Sequence, residues 1–286
     1  MSLLFNIAID GIAYGMILFM ISVGLSVTMG LMRVINLAHG AFALIGGVLA
    51  HVLILHAGIG YLTAVPLAIA GVVIVALAGE RVLFRRVYRL GELQQVLATI
   101  GLTFMVIAVV SKFLGSSLLA IPLPASLQQS VDLGFRVLPA HRLVVILAGL
   151  AVIAALYLTI ERSRFGTRLR AAVDNRNIAS ALGIDTDRIY AATFCLGAGL
   201  AALGGILGAE LLPIDAYYPL RYMVLFLIVV SVGGLGSISG SFVAALALGT
   251  LETASRYLIP DFGTVVFLAA VMALLALRPA GLLGRV

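Results

Sequence analysis

The chain has 286 residues, 63% of them apolar and only 10% charged, with a mean hydropathy of +1.20. Soluble domains are roughly half apolar and about a quarter charged, and disordered chains are less apolar still, so both classes are excluded. A net charge of +6 would suit nucleic-acid binding in a soluble protein, but in so apolar a chain it fits Arg gathered in cytoplasmic loops, with no nucleic acid involved.

The apolar share amounts to about 180 residues, enough at ~20 residues per crossing for roughly eight or nine spans. In chain order the apolar runs cover 4–29, 34–55, 61–79, 94–114, 142–160, 189–212, 222–235, 238–256 and 262–277. The expected class is an all-α polytopic integral membrane protein, with one transmembrane domain over 1–286. The first run has no basic flank, contains Asp10 and is too long for the apolar part of a signal peptide. Little sequence is left for a soluble domain, so soluble machinery must come from partners.

The gaps between runs carry the orientation. Residues 80–93 hold Arg81, Arg85, Arg86 and Arg89; residues 161–188 hold Arg162, Arg164, Arg168, Arg170, Arg176 and Arg188; the tail holds Arg278 and Arg285. These stretches and Arg33 are read as cytoplasmic, leaving Lys112, Arg136, Arg142, Arg221 and Arg256 outside. The Pro-, Ser- and Gln-rich stretch 115–141 and the stretch 213–221 belong outside too. The N-terminus is therefore expected outside and the C-terminus in the cytoplasm.

Two runs read as broken. Residues 30–47 place Arg33, Asn36 and His39 among apolar residues, ahead of Gly40. Residues 230–249 concentrate Gly233, Gly234, Gly236 and Gly240. Glycine costs about 1 kcal/mol against Ala inside a helix, and unwound backbone at membrane depth needs cover from protein or a water-filled cavity. A small-residue helix follows each break, so the two are read as corresponding elements of two pseudo-repeated halves along a translocation pathway. Asn36 and His39, three apart, would share one face if helical. Their expected roles are to satisfy freed backbone groups or to line the pathway.

Several chemistries lack their residues. Lys112, the sole Lys, has no Gly-rich phosphate loop around it, so no ATP site is expected. His39, His51, His56 and His141 show no metal-ligand spacing, and lone Cys195 permits no intrachain disulfide. No cofactor, metal or catalytic residue is expected in this chain. Asp10, Glu210 and Lys112 read as interfacial anchors, whereas Glu252 reads as deeper and facing a packing interface or cavity.

The stretch 161–188 is basic yet patterned. Leu169, Ala172 and Val173 recur at helical spacing, Asp174 and Asn175 offer N-cap chemistry, Ile178, Ala179 and Leu182 form a second short helix, and Gly183 suits a helix stop. Short surface helices bearing small residues suit a groove on another protein.

At this loop a resemblance becomes specific. Residues 165–209 (FGTRLRAAVDNRNIASALGIDTDRIYAATFCLGAGLAALGGILGA) resemble the permease subunits of branched-chain amino acid ABC importers. Residues 34–47, with Asn36, His39 and Gly40, look like the same family's Asn-x-x-His-Gly segment, and residues 233–252 resemble a third landmark. The resemblance covers essentially the whole chain, and is closer to the shorter of the family's two permease subunits. It implies a second homologous permease, two cytoplasmic ATPases that bind ATP and Mg, and a periplasmic or lipoprotein binding protein, all at a bacterial inner membrane. It implies that Arg170, Ala172, Asp174, Ala179, Leu182 and Gly183 belong to an ATPase-coupling loop. Relatives carry leucine, isoleucine and valine; others carry urea, short amides or aromatic compounds. A stand-alone secondary transporter would not need such a loop, and an intramembrane enzyme lacks a catalytic constellation.

Overall fold

The computed structural model describes residues 2–32, 34–88, 90–132, 137–278 and 281–283. The expectations for Arg33, Arg89, Arg136 and Arg285 lie outside the described residues. The described chain is almost entirely helical: α1 (Ser2–Ser26), α2 (His39–Leu55), α3 (Tyr61–Gly79), α4 (Arg85–Val87), α5 (Glu92–Leu114), α6 (Ala125–Gln128), α7 (Ala140–Leu156), α8 (Arg164–Asp174), α9 (Arg176–Ala181), α10 (Thr186–Gly208), α11 (Tyr218–Gly233), α12 (Ile238–Leu258) and α13 (Gly263–Leu277). Three helices change pitch at one end, into π-helical turns at Val27–Leu31, Glu80–Phe84 and Tyr157–Glu161. A two-stranded antiparallel ribbon, β1 (Ser130–Asp132) and β2 (Val137–Pro139), sits in the polar stretch read only as an outside loop.

Among the described residues, six helical segments are long and apolar enough to cross a bilayer: Leu3–Gly30, Tyr61–Val87, Glu92–Leu114, Ala140–Glu161, Thr186–Gly208 and Ile238–Leu258. Helices α2, α11 and α13 are apolar but shorter, at 17, 16 and 15 residues. At 1.5 Å per residue, about 16 residues reach only some 24 Å, short of the ~30 Å hydrocarbon core. Helices α2 and α11 are short because each adjoins a segment of non-helical backbone.

Burial divides the helices into a centre and a rim. In α1 and α10, 89% and 72% of the most apolar stretch is covered by protein, against 22% in α3 and α5 and 28% in α7. The rim helices thus present their apolar side chains outward, including Leu62, Ile74, Phe104, Met105 and Leu147, which is the surface a lipid environment accepts.

The central helices pack on small residues. Helix α1 runs antiparallel to both neighbours: Gly24 lies against Gly197 and Gly204 against Ile21 on α10, while Gly11 lies against Thr250 and Gly15 against Ala245 on α12. A Cβ on Gly24 would stand 2.5 Å from Gly197 O and 2.8 Å from His39 Cε1, so the α1 and α10 backbones meet at glycine distance with the His39 ring against them. This packing brings the start of α1, the start of α7 and the ends of α10 and α12 to one face. The loop 161–188 lies at the opposite face, where α8 touches the Val27–Leu31 turn.

Candidate translocation and coupling sites

Among the described residues of the first break, 34–38 are not helical. Helix α1 unwinds through its π turn, the chain runs without helical bonding, and α2 begins at His39. Asn36 precedes the helix, so the expected shared helical face with His39 does not form. Three freed N–H groups find side-chain partners instead. Ile35 N donates to Gln95 Oε1 at 3.1 Å, Leu37 N donates to Thr99 Oγ1 at 3.2 Å, and Ala38 N donates to Asn36 Oδ1 at 3.1 Å. His39 Nε2 donates to Ile21 O at 2.9 Å, clamping the start of α2 to α1. In an apolar medium each such group would cost several kcal/mol unpaired, which is why non-helical backbone survives here.

Gln95 and Thr99 were not singled out from the sequence. Their signal was there: Gln95, Thr99 and Thr103 recur every four residues on α5, and all three are buried on a helix whose other faces are largely exposed. A polar stripe at helical period in an apolar span marks the face that meets other polar groups.

Asn36 and His39 are buried, and Asn36 Nδ2 has no hydrogen-bond partner. Both line a void of about 10 Å³ with Gly40, Met223 and Phe226, about the space of a single water probe. Gly40 lies against Pro219 at the start of α11.

The second break meets the first. Helix α11 ends at Gly233, Gly234 and Gly236 take φ of 91° and 80°, and Ser237 caps α12 by accepting from Gly240 N at 3.0 Å. The backbone of Gly236 lies directly on that of Gly30, and Gly233 packs on Gly240 and Ser241. The glycine cluster thus forms one crossing that joins the end of α1 to the α11–α12 turn. Leu282 N also donates to Val232 O at 2.7 Å, tying the chain after α13 to the same place.

The stretch 161–188 is a folded unit. Ser163 Oγ accepts from Phe165 N and Gly166 N to start α8, and Asn175 Oδ1 accepts from Ile178 N at 3.0 Å to start α9. Asp174, read as a possible cap, is instead the last residue of α8. Gly183 takes φ of 81°, its N–H bonds Ser180 O, and Ile184 N bonds Ala179 O. That pair of bonds satisfies the last carbonyls of α9 in the manner of a left-handed C-cap. Ser163→Ala is expected to lower the local stability of α8 by about 1 kcal/mol, read as faster amide exchange at Phe165 and Gly166.

Several small residues of the loop face inward. Ala172 and Ala179 are buried, packing α8 and α9 against the rest of the chain, and Leu169 and Gly166 are buried with them. Ala171 is half-buried and Ala181 exposed. Ile178 and Leu182 are 59% and 76% exposed and project from α9. Beside them a polar groove of about 390 Å³ runs along Arg176, Ser180 and Asp187. Arg170 Nη1 donates to Ile160 O at 3.0 Å and pairs with Glu161 at 3.5 Å, propping α8 on the end of α7. Tyr190 donates to Ala172 O at 3.1 Å, and Arg176 stacks on the Tyr190 ring and pairs with Asp187 at 2.5 Å. Asp187 also pairs with Arg85 at 3.4 Å, and Arg85 with the buried Glu80 at 3.3 Å. The loop is thus mechanically joined to α3 and α10.

Two further ion pairs lie at the opposite face. Asp10 is buried and paired with Arg142, and Glu252 is buried and paired with Arg256 at 2.6 Å. Among the described residues no group of three or more His, Cys, Asp or Glu side chains gathers as a metal site would.

Comparison with known proteins places this geometry in a family. The family described as branched-chain amino acid transport system / permease component matches residues 7–276. The high-affinity branched-chain amino acid transport system permease protein LivH of Escherichia coli (strain K12) is 30% identical over 96% of this chain and 94% of its own length. The corresponding protein BraD of Pseudomonas aeruginosa is 28% identical over 97% of this chain and 94% of its own. A probable LivH of Methanocaldococcus jannaschii is 28% identical over 96% and 90%. No solved structure matches the chain. A family match over residues 7–276 and near end-to-end similarity to these relatives show that the chain belongs to the family of branched-chain amino acid transport system permease components.

Proposed function

We propose that the chain is a translocation subunit of an ATP-driven importer for branched-chain amino acids in a bacterial inner membrane, working with a second, homologous permease. Two cytoplasmic ATPases bind ATP and Mg and supply the energy, and a periplasmic or lipoprotein binding protein delivers the solute. The chain itself binds no ATP. Its N-terminus lies outside, its C-terminus lies in the cytoplasm, and α2, α11 and α13 cross together with the six longer helices. The breaks at 32–38 and 234–237 are corresponding elements of two halves. Their contact at Gly30 and Gly236 supports that reading.

The observation that carries the proposal is the capped α8–α9 unit with Ile178 and Leu182 exposed at its tip. A rigid projection with an apolar tip fits a groove on a partner. ATP binding can move the permease only through contacts that differ between two states, and a unit braced to α3, α7 and α10 passes such a difference on to the helices. Purification in mild detergent from the native membrane should recover two ATPase subunits and a second permease by mass spectrometry. Replacing Ile178 and Leu182 together with Asp should leave insertion intact and remove the ATPases from the preparation. A chain recovered alone, intact and folded, would overturn the assignment.

A further inference from the structure

The two ion pairs opposite the coupling loop sit between adjoining cavities. One, of about 370 Å³, is walled by Ala13, Ile17 and Val145 and closed at one end by His141, Arg142 and Glu210. The other, of about 160 Å³, is lined in part by Asp10, Tyr14, Glu252 and Arg256. Arg142 and Leu211 line both. The second is smaller than the ~300 Å³ lower bound of drug-sized sites.

The polar groups are held in place by residues far apart in sequence. Arg142 on α7 pairs with Asp10 on α1, and Tyr257 on α12 donates to Asp10 at 2.8 Å. Arg256 pairs with Glu252 Oε1, and the Tyr14 hydroxyl faces the same carboxylate. Two buried atoms remain unsatisfied. Glu252 Oε2 has no hydrogen-bond partner. His141 Nε2 donates to Leu207 O at 2.9 Å and lies 3.8 Å from Glu210, and His141 Nδ1 too has no hydrogen-bond partner. Glu252 Oε2 is an acceptor on a residue that lines the second cavity, and burying such an atom without a donor is costly. What belongs there brings N–H donors.

We infer that the paired cavities form a binding site for a small zwitterion with an apolar body. This deepens the proposed function and rests on it. The ammonium donates to Glu252 Oε2. The carboxylate lies between Arg142 and Arg256, whose five N–H donors each exceed what their present partners use. The apolar side chain occupies the larger cavity against Ile17 and Val145. A neutral amide brings neither an ammonium for Glu252 nor a carboxylate for the spare guanidinium donors, so the site separates amino acids from urea-like solutes. The ion pairs keep both charges placed before the solute arrives, which lowers the cost of ordering the site.

The test uses the assembled importer in proteoliposomes, with Cys195→Ala and Thr253→Cys introduced; Thr253 lines the second cavity. Modification of the new thiol by a membrane-impermeant methanethiosulfonate is timed with L-leucine, urea, isopentylamine or 4-methylpentanoate present. Leucine is expected to slow labelling saturably, and the two half-molecules to need at least tenfold higher concentration. Glu252→Gln is expected to weaken leucine protection at least tenfold; the Thr253→Cys result stands even where that variant does not fold. Equal protection by urea or by either half-molecule, or no protection by leucine, overturns the site. Leucine uptake in the same vesicles separates the two readings. Uptake without protection removes the site alone, and absence of uptake removes the proposed solute.

Discussion

Ala179→Pro should leave the chain inserted in the membrane and abolish transport-linked ATP hydrolysis. Ala179 N donates to Asn175 O at 2.9 Å, the bond that closes the first turn of α9. Proline removes that donor and drives its ring against the preceding turn, at a cost of about 3 kcal/mol or more in a helix interior. A helix of six residues has no reserve against such a loss. Ala179 O also accepts from Ile184 N in the C-terminal cap, so the tip bearing Ile178 and Leu182 loses its support at both ends. The spans are unaffected, because α9 contributes little to their packing. The measurement is ATPase activity of the reconstituted importer with loaded binding protein, alongside surface labelling for insertion. Stimulation at the unmodified level would show that α9 does not couple.

Gly30→Val is expected to prevent accumulation of folded protein. A Cβ at Gly30 would fall on the backbone of Gly236, and Gly236 cannot easily yield, since its φ of 80° already requires glycine. Ordinary overpacking costs about 1–3 kcal/mol because side chains give way; here the obstacle is backbone, so the loss lies at or beyond the upper end. The matched control is Gly101→Ala, on an open face of α5 where a Cβ meets nothing within 4 Å. It should gain about 1 kcal/mol from helix propensity. Thermal unfolding followed by size-exclusion in detergent distinguishes them: the valine variant aggregates, and the alanine variant is as stable as the parent or more so. A normally folded Gly30→Val protein would mean that the two breaks do not meet.

Much of this architecture was legible along the chain. Arg33, Asn36 and His39 interrupting an apolar run marked the first break, because polar residues in lipid need a reason to be there. Four glycines within eight residues marked the second. Asn175 and Gly183 marked the start and stop of α9, since capping chemistry is local. The π turn at Glu80–Phe84 carried the third helix past a cluster of arginines that composition assigned to a loop. Pitch changes of that kind follow from what the helix packs against and leave no pattern in its own residues.

By itself the sequence determined the membrane class, the apolar helices, the two breaks, the short helices of the 161–188 loop and the family, because hydropathy, capping and glycine act over a few residues. Only the tertiary structure decided which polar groups serve the first break. It brought Gln95 and Thr99 to backbone 60 and 62 residues away. It paired Asp10 with Arg142 and Tyr257 across separations of 132 and 247 residues. It also turned Ala172 and Ala179 inward and left Ile178 and Leu182 at the tip. Which face of a short helix is covered, and which distant charge closes a pair, depends on how all the helices pack at once, and no local pattern encodes that.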